Sequence, residues 1–113
     1  MAIRAGRMRL RLTIEEPTED STRSTHGAPT YTWTYVTDVW ADLMSQQATE
    51  RFRDSQDLAE VTHVFVGRWQ SGITPKMRVY WQSRDFRIIS VINVDERDRE
   101  MRIATVEEVP ARG

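Results

Sequence analysis

The sequence predicts a mainly β protein, a small antiparallel β-barrel or sandwich of about six strands with one short α-helix and a long loop after the first strand. Apolar and polar residues alternate in short runs, turn-forming residues separate those runs at fairly regular spacing, and one segment after Ser45 carries helical spacing instead. At 113 residues the chain is long enough for one core and too short for two, so residues 1–113 are read as a single domain.

Met8 to Glu16 alternates strictly, with Met8, Leu10, Leu12 and Ile14 on one side and Arg9, Arg11, Thr13 and Glu15 on the other, as a half-buried strand requires. Pro17 is expected to end it. Residues 18–30 are rich in Ser, Thr, Gly and Pro and hold no large apolar residue, so they read as a long mobile loop, a length that is usually functional or disordered. Tyr31 to Met44, rich in Tyr, Trp, Thr and Val, reads as one long strand or as two with a bend. Trp33, Tyr35 and Thr37 share one parity and Val36 and Trp40 the other, and a switch of inward parity near Val39 would mark a bulge.

Ser45 is placed as an N-cap, and Ala48, Phe52, Ser55 and Ala59 then recur at helical spacing. From Val61 the strand pattern returns: VTHVFVGRW, a turn at QSGITPK, MRVYWQ, a tight turn at SRD, FRIISVINV, the charged turn DERDRE, and MRIATVEEV before a tail at 110–113.

Composition narrows function. The chain is 39% hydrophobic and 29% charged, has no apolar stretch long enough to span a bilayer and shows no unbroken apolar leader. Without cysteine it has no disulfide, thiolate nucleophile or cysteine-ligated zinc, which suits a reducing cytoplasm. A net charge of -1 argues against phosphate neutralisation as its main work. The charge is uneven, however: Arg4, Arg7, Arg9 and Arg11 form a basic arm, followed by the acidic cluster Glu15, Glu16, Glu19 and Asp20. Opposite patches of this kind suit head-to-tail contact between copies, although solvated surface is the simpler account.

Catalytic and metal motifs are missing. The histidines are His26, in the loop, and His63, which shares strand parity with Phe65 and Trp69 and is expected to be a partly buried strand residue. No glycine-rich phosphate loop occurs. Trp33, Trp40, Trp69 and Trp81 could stack bases on a barrel, but on strands large aromatics are expected to fill the core. Gly67, interrupting a strand, suggests a bulge or a close backbone approach.

Several patterns in order resemble the phage head-tail joining family, the head-closure (stopper) and head-tail adaptor proteins. They are AGRMRLRLTIEEP at Ala5 to Pro17, Gly27, WTYVTDVWA at Trp33 to Ala41, AEVTHVFVGRW at Ala59 to Trp69, and GITPKMRV at Gly72 to Val79. Phe86, Ile88, Val91 and the charged turn before Met101 complete the resemblance, which runs from about Ala5 to Val109. The chain departs from the pattern at Ser83, where a turn glycine is favoured, and at Val64 and Gly67, where a basic and an aliphatic residue are favoured.

The resemblance implies a structural virion protein and not an enzyme, with no cofactor or metal. Its copies would form a twelve-fold or six-fold ring in the virion neck, assembled from the host cytoplasm. A portal or adaptor protein would lie on the head side and a tail-completion or tail-tube protein on the tail side. The ring would close the filled head, give the tail a platform and let DNA pass through its lumen. In similar proteins the loop after the first strand projects into the ring. On that basis Glu19, Asp20, Arg23 and His26 are expected to line the lumen or mate with neighbouring copies, and Arg4 and Arg7 to reach an adjacent ring. The alternatives are an OB-like nucleic-acid-binding barrel and a tail-completion or terminator protein.

Overall fold

Strand β1 (Leu10–Glu19) pairs antiparallel with β2 (Tyr31–Leu43), and the rest of the sheet wraps from these two long strands. The structure, a computed structural model, describes residues 9–19 and 31–108. After β2 come helix α1 (Gln46–Gln56), β3 (His63–Arg68), β4 (Arg78–Trp81), β5 (Arg84–Asn93) and β6 (Glu100–Glu108). Every pairing is antiparallel, and the order β1-β2-β3-β6-β5-β4 returns to β1 as a closed barrel. Closure leaves the barrel body without a free edge strand.

The alternation read in β1 fills the interior. Leu12 and Ile14 are fully buried beside Val39, Ala41, Val79, Ile88, Met101 and Ile103, with Phe65 and Phe86 at the centre. The two phenylalanine rings meet edge to face at 5.3 Å, and Trp81 meets Phe65 in the same way at 5.7 Å. Each buried ring contributes roughly 1.5–3 kcal/mol relative to exposure, plus the directional preference of aromatic edges for faces. Trp69 and Trp81 pack against this core as expected for strand tryptophans.

A second, smaller core lies outside the barrel wall. Phe52 of α1 packs with Val61, Val64 and Ala104, so Val64 is buried on the helix side while Phe65 is buried on the barrel side. Ser45 caps the helix, its Oγ accepting from the Ala48 N–H at 3.1 Å. Asp57 closes it in a left-handed conformation (φ 55°). The buried helix residues are Thr49 and Phe52, whereas Ser55 is exposed and Ala59 lies beyond the helix end. Thr49 can face inward because its hydroxyl donates to the Ser45 carbonyl at 2.8 Å.

Two boundaries differ from the sequence reading. β1 does not stop at Pro17: Pro17, Thr18 and Glu19 pair with Trp33, Thr32 and Tyr31, so the first two residues of the expected loop belong to the strand. Proline is tolerated because β1 has a partner on only one side there. The bulge in β2 is at Val36 and not near Val39, since Ile14 pairs with Thr37 while Glu15 pairs with Tyr35.

The departures at Val64 and Gly67 have local causes, and that at Ser83 has none in the structure. Val64 is apolar because α1 covers it. A Cβ on Gly67 would stand 3.0 Å from the Trp40 carbonyl oxygen, so a side chain here would oblige the paired β2 backbone to give by a few tenths of an ångström. Gln82 and Ser83 link β4 to β5 with φ of 53° and 58°, the two positive values of a type I′ hairpin turn, which L-residues adopt at a cost. Replacing them with Asn-Gly (Gln82→Asn with Ser83→Gly) should raise stability by about 1–2 kcal/mol. A urea titration reads this as a higher midpoint at unchanged slope; a lower midpoint would mean that the hairpin turns otherwise.

Candidate functional site

Two features stand apart from the barrel's own packing: an arm and an outer face, both built on β1 and β2. β4 pairs with β1 only over Thr13–Glu15, and β3 pairs with β2 only over Ala41–Leu43. Glu16 to Glu19 and Tyr31 to Thr34 therefore have only each other as ladder partners and leave the barrel as a two-stranded arm. A strand of 13 residues spans about 44 Å, which accounts for most of the molecule's 52 Å length over a 25 Å width. The Thr18 and Thr34 hydroxyls are hydrogen-bonded at 2.9 Å across the arm.

Glu19, exposed at the end of the arm opposite Tyr31, is the one lumen candidate that falls within the described residues. Asp20, Arg23 and His26 lie outside them, as do Arg4 and Arg7 of the basic segment. The acidic cluster next to the arm is already partly neutralised. Glu15 accepts a hydrogen bond from Arg78 Nε at 2.8 Å and both side chains are mostly covered, while Glu16 is exposed.

The Val36 bulge decides which side chains share the outer face. Trp40 pairs with Arg11, whereas Tyr35 and Trp33 pair with Glu15 and Pro17, and Arg11, Glu15 and Pro17 have one parity on β1. Paired residues of a ladder point to the same side. Trp33, Tyr35 and Trp40, of opposite sequence parity, thus come to one face, joined by Tyr80 opposite Thr13. Tyr35 is 59% exposed and Trp40 56%, so the expectation that all four tryptophans are core holds for Trp69 and Trp81 and fails for Trp33 and Trp40. The physical reason is the extra residue, which reverses inward parity between the two halves of β2.

Two ion pairs lie on this face. The Arg11 guanidinium holds Asp38 by two hydrogen bonds to Oδ2, at 2.9 and 2.6 Å, and the Thr13 hydroxyl donates to Oδ1 at 3.2 Å. Hydrogen bonding from Arg11, with Thr13 and Tyr35 adding to it, holds the Asp38 carboxyl below the usual carboxylate range. Arg78, besides pairing with Glu15, lies over the Trp33 ring at 4.2 Å. The face thus combines exposed aromatic rings with two ion pairs and the exposed Asp42.

His63 sits on β3 at the edge of the barrel interior, half-buried, its ring edge-on to Phe86 at 5.1 Å. Arg84 approaches Nε2 at 3.4 Å and is itself fixed by a two-pronged pair with Glu107, at 2.8 and 2.7 Å. Nδ1 lies 2.9 Å from the Thr62 hydroxyl. Among the described residues no group of His, Asp and Glu is arranged to hold a metal ion. Burial first, and the neighbouring Arg84 second, push the His63 pKa down from its ordinary value. The unfolded chain therefore binds a proton at higher pH than the folded one. Stability tied to His63 is complete above about pH 6.5 and is lost as pH falls toward the folded value. Urea midpoints at pH 7, 6 and 5 should decline more steeply for the wild type than for His63→Gln; parallel declines would contradict the assignment.

The sequence pattern of the phage head completion protein family matches residues 3–108, almost the whole chain. Among solved structures, protein SF1141 from Shigella flexneri 2a superposes with a TM-score of 0.66 at 24% identity, covering 93% of this chain and 96% of that one. A chain of a native gene transfer agent virion superposes with a TM-score of 0.57 at 23% identity, covering 88% and 94%. At those identities the superpositions establish a common fold. No curated protein sequence matches the chain. Matched over residues 3–108 by that family's pattern, this chain belongs to the phage head completion protein family.

Proposed function

We propose that this protein is a head-closure, or stopper, subunit: copies form a ring between the portal or its adaptor and the tail, close the DNA-filled head and offer the tail its platform. The observation that carries this reading is the family match over residues 3–108. The geometry supports it in two respects. A ring of identical copies needs different surfaces on two sides of each subunit, and here the aromatic face and the helix occupy different strands of the barrel. A ring around DNA also gains from something that reaches inward, and the β1–β2 arm extends beyond the barrel wall.

In this assembly the arm and the residues that follow it, with Glu19, Asp20, Arg23 and His26, line the lumen or mate with neighbouring copies. Arg4 and Arg7 reach an adjacent ring. A net charge of -1 keeps the lumen from binding phosphate tightly as DNA passes, because each added cation strengthens such binding. The work is closure and docking, and it calls for no catalysis, cofactor or metal.

Disrupting the gene and imaging the resulting particles tests this reading. Expected are tailless heads that have lost their DNA beside intact, separate tails. Normal tailed, filled particles would overturn it, and heads that keep their DNA but lack tails would move the protein to the tail-completion step.

A further inference from the structure

We infer that the β1–β2 arm is a hinged element, pivoting at the Val36 bulge and held to the barrel by Arg78, which acts as its latch. In the ring proposed above the latch fixes how far each arm reaches toward the channel; that use rests on the ring reading, whereas the hinge itself does not. The ladder weakens at a single level. β1 loses its β4 partner after Glu15, the β1–β2 register shifts between Ile14 and Glu15, and Val36 stands unpaired opposite that step. Thr37, on the barrel side of the bulge, is held in place: it pairs with the buried Ile14, and its hydroxyl accepts from Gln70 Nε2 at 3.1 Å. Beyond the bulge, Glu16 to Glu19 and Tyr31 to Thr34 have only each other as ladder partners. A two-stranded ribbon is marginal by itself and twists more than a wider sheet, and a bulge at its root bends the strand that carries it. Hinges are built from a few residues of this kind at the end of a rigid element.

Arg78 bridges this weak point from outside. It is the first residue of β4; its Nε donates to Glu15 at 2.8 Å, and Nη1 lies 3.7 Å from Asp85 of β5. Glu15 pairs with Arg78 itself and Asp85 with Tyr80, so both carboxylates anchor the guanidinium to the barrel wall. From that anchorage it reaches across β1 and lies over the Trp33 ring of the arm, 4.2 Å from the centroid. The Arg78 side chain is only 20% exposed, which shields the contact from much of the water that weakens such pairs at open surface. Glu15, Arg78, Pro17 and Trp33 share the outer face, opposite the buried Ile14 and Val79. Bending the arm toward the barrel axis therefore draws Trp33 away from Arg78, and the latch resists that bend. The contacts that close the barrel and the one that holds the arm use different partners of the same guanidinium, so a substitution at Trp33 separates them.

Trp33→Leu removes the ring and leaves the Glu15 pair, and Trp33 belongs to neither core, so the barrel stays folded. Trp33→Tyr keeps an aromatic face under the guanidinium. Because the chain has no cysteine, spin labels can be placed on Glu19→Cys at the end of the arm and Arg68→Cys on β3, both exposed. Double electron–electron resonance on this pair, diluted into unlabelled protein, should give one narrow distance with Trp33 present, a broad distribution in Trp33→Leu and a narrow one again in Trp33→Tyr. A distance that stays narrow in Trp33→Leu, or is already broad with Trp33 present, would overturn the latch. A second pair within the barrel, Arg68→Cys with the exposed Glu108→Cys, should stay narrow throughout; broadening there would make Trp33 part of the barrel's packing and overturn the assignment. In particles with an intact neck ring, Trp33→Leu should lower the fraction of heads that keep their DNA and Trp33→Tyr should restore it; full retention in Trp33→Leu would overturn the latch's use in the ring. Particles that hold the protein but no neck ring would overturn the ring reading, while the distances in the free subunit still decide the hinge.

Discussion

The structure depends on a short closure. β1 and β4 meet over three residue pairs, Thr13–Tyr80, Ile14–Val79 and Glu15–Arg78, and this contact turns an open sheet into a barrel. Two buried aliphatic side chains, Ile14 and Val79, face each other inside, and the Arg78–Glu15 pair closes the outside at 2.8 Å. Because β4 is four residues long while β1 is ten, closure uses only part of β1. Its last four residues, Glu16 to Glu19, go with β2 into the arm. The same mismatch of strand lengths that seals the barrel therefore creates its projection.

The extra residue at Val36 has a comparable reach. It shifts the register between β1 and β2, so that Trp33 and Tyr35 join Trp40 on the outer face. Bulges re-aim side chains at the cost of a locally disrupted ladder. The result is a subunit whose stability resides in Phe65, Phe86 and their neighbours inside, and whose largest exposed aromatics stand outside beside two ion pairs. The division suits a protein that folds as a unit and then joins an assembly.

Much of this was legible in the sequence. The Leu10-Leu12-Ile14 alternation, the Ser45 cap, the burial of Phe52 and the β4–β5 and β5–β6 hairpins follow from local periodicity and capping, whereas β3 pairs with β2 and β6 and not with β4, the strand that follows it. What escaped depends on contacts distant in sequence. Pro17 stays in a strand because β4 ends before reaching it. Val64 and Phe65 are both buried because α1 crosses outside β3. Trp33 and Trp40 lie outside because one unpaired residue separates their registers, and parity counting places such a residue only roughly. Of the proposed contact residues, Glu19 is placed at the end of the arm, whereas the roles of Arg4, Arg7, Asp20, Arg23 and His26 rest on charge and family resemblance. Ring contacts involve a second chain, and one chain's periodicity reports only the surfaces it buries itself.

The most direct test is a density map of the neck of filled, tailed particles, into which the barrel is fitted. The account predicts a ring of barrels between portal and tail, with the β1–β2 arms directed toward the central channel. A barrel that fits only elsewhere in the particle, or a neck ring built from a different fold, would contradict it.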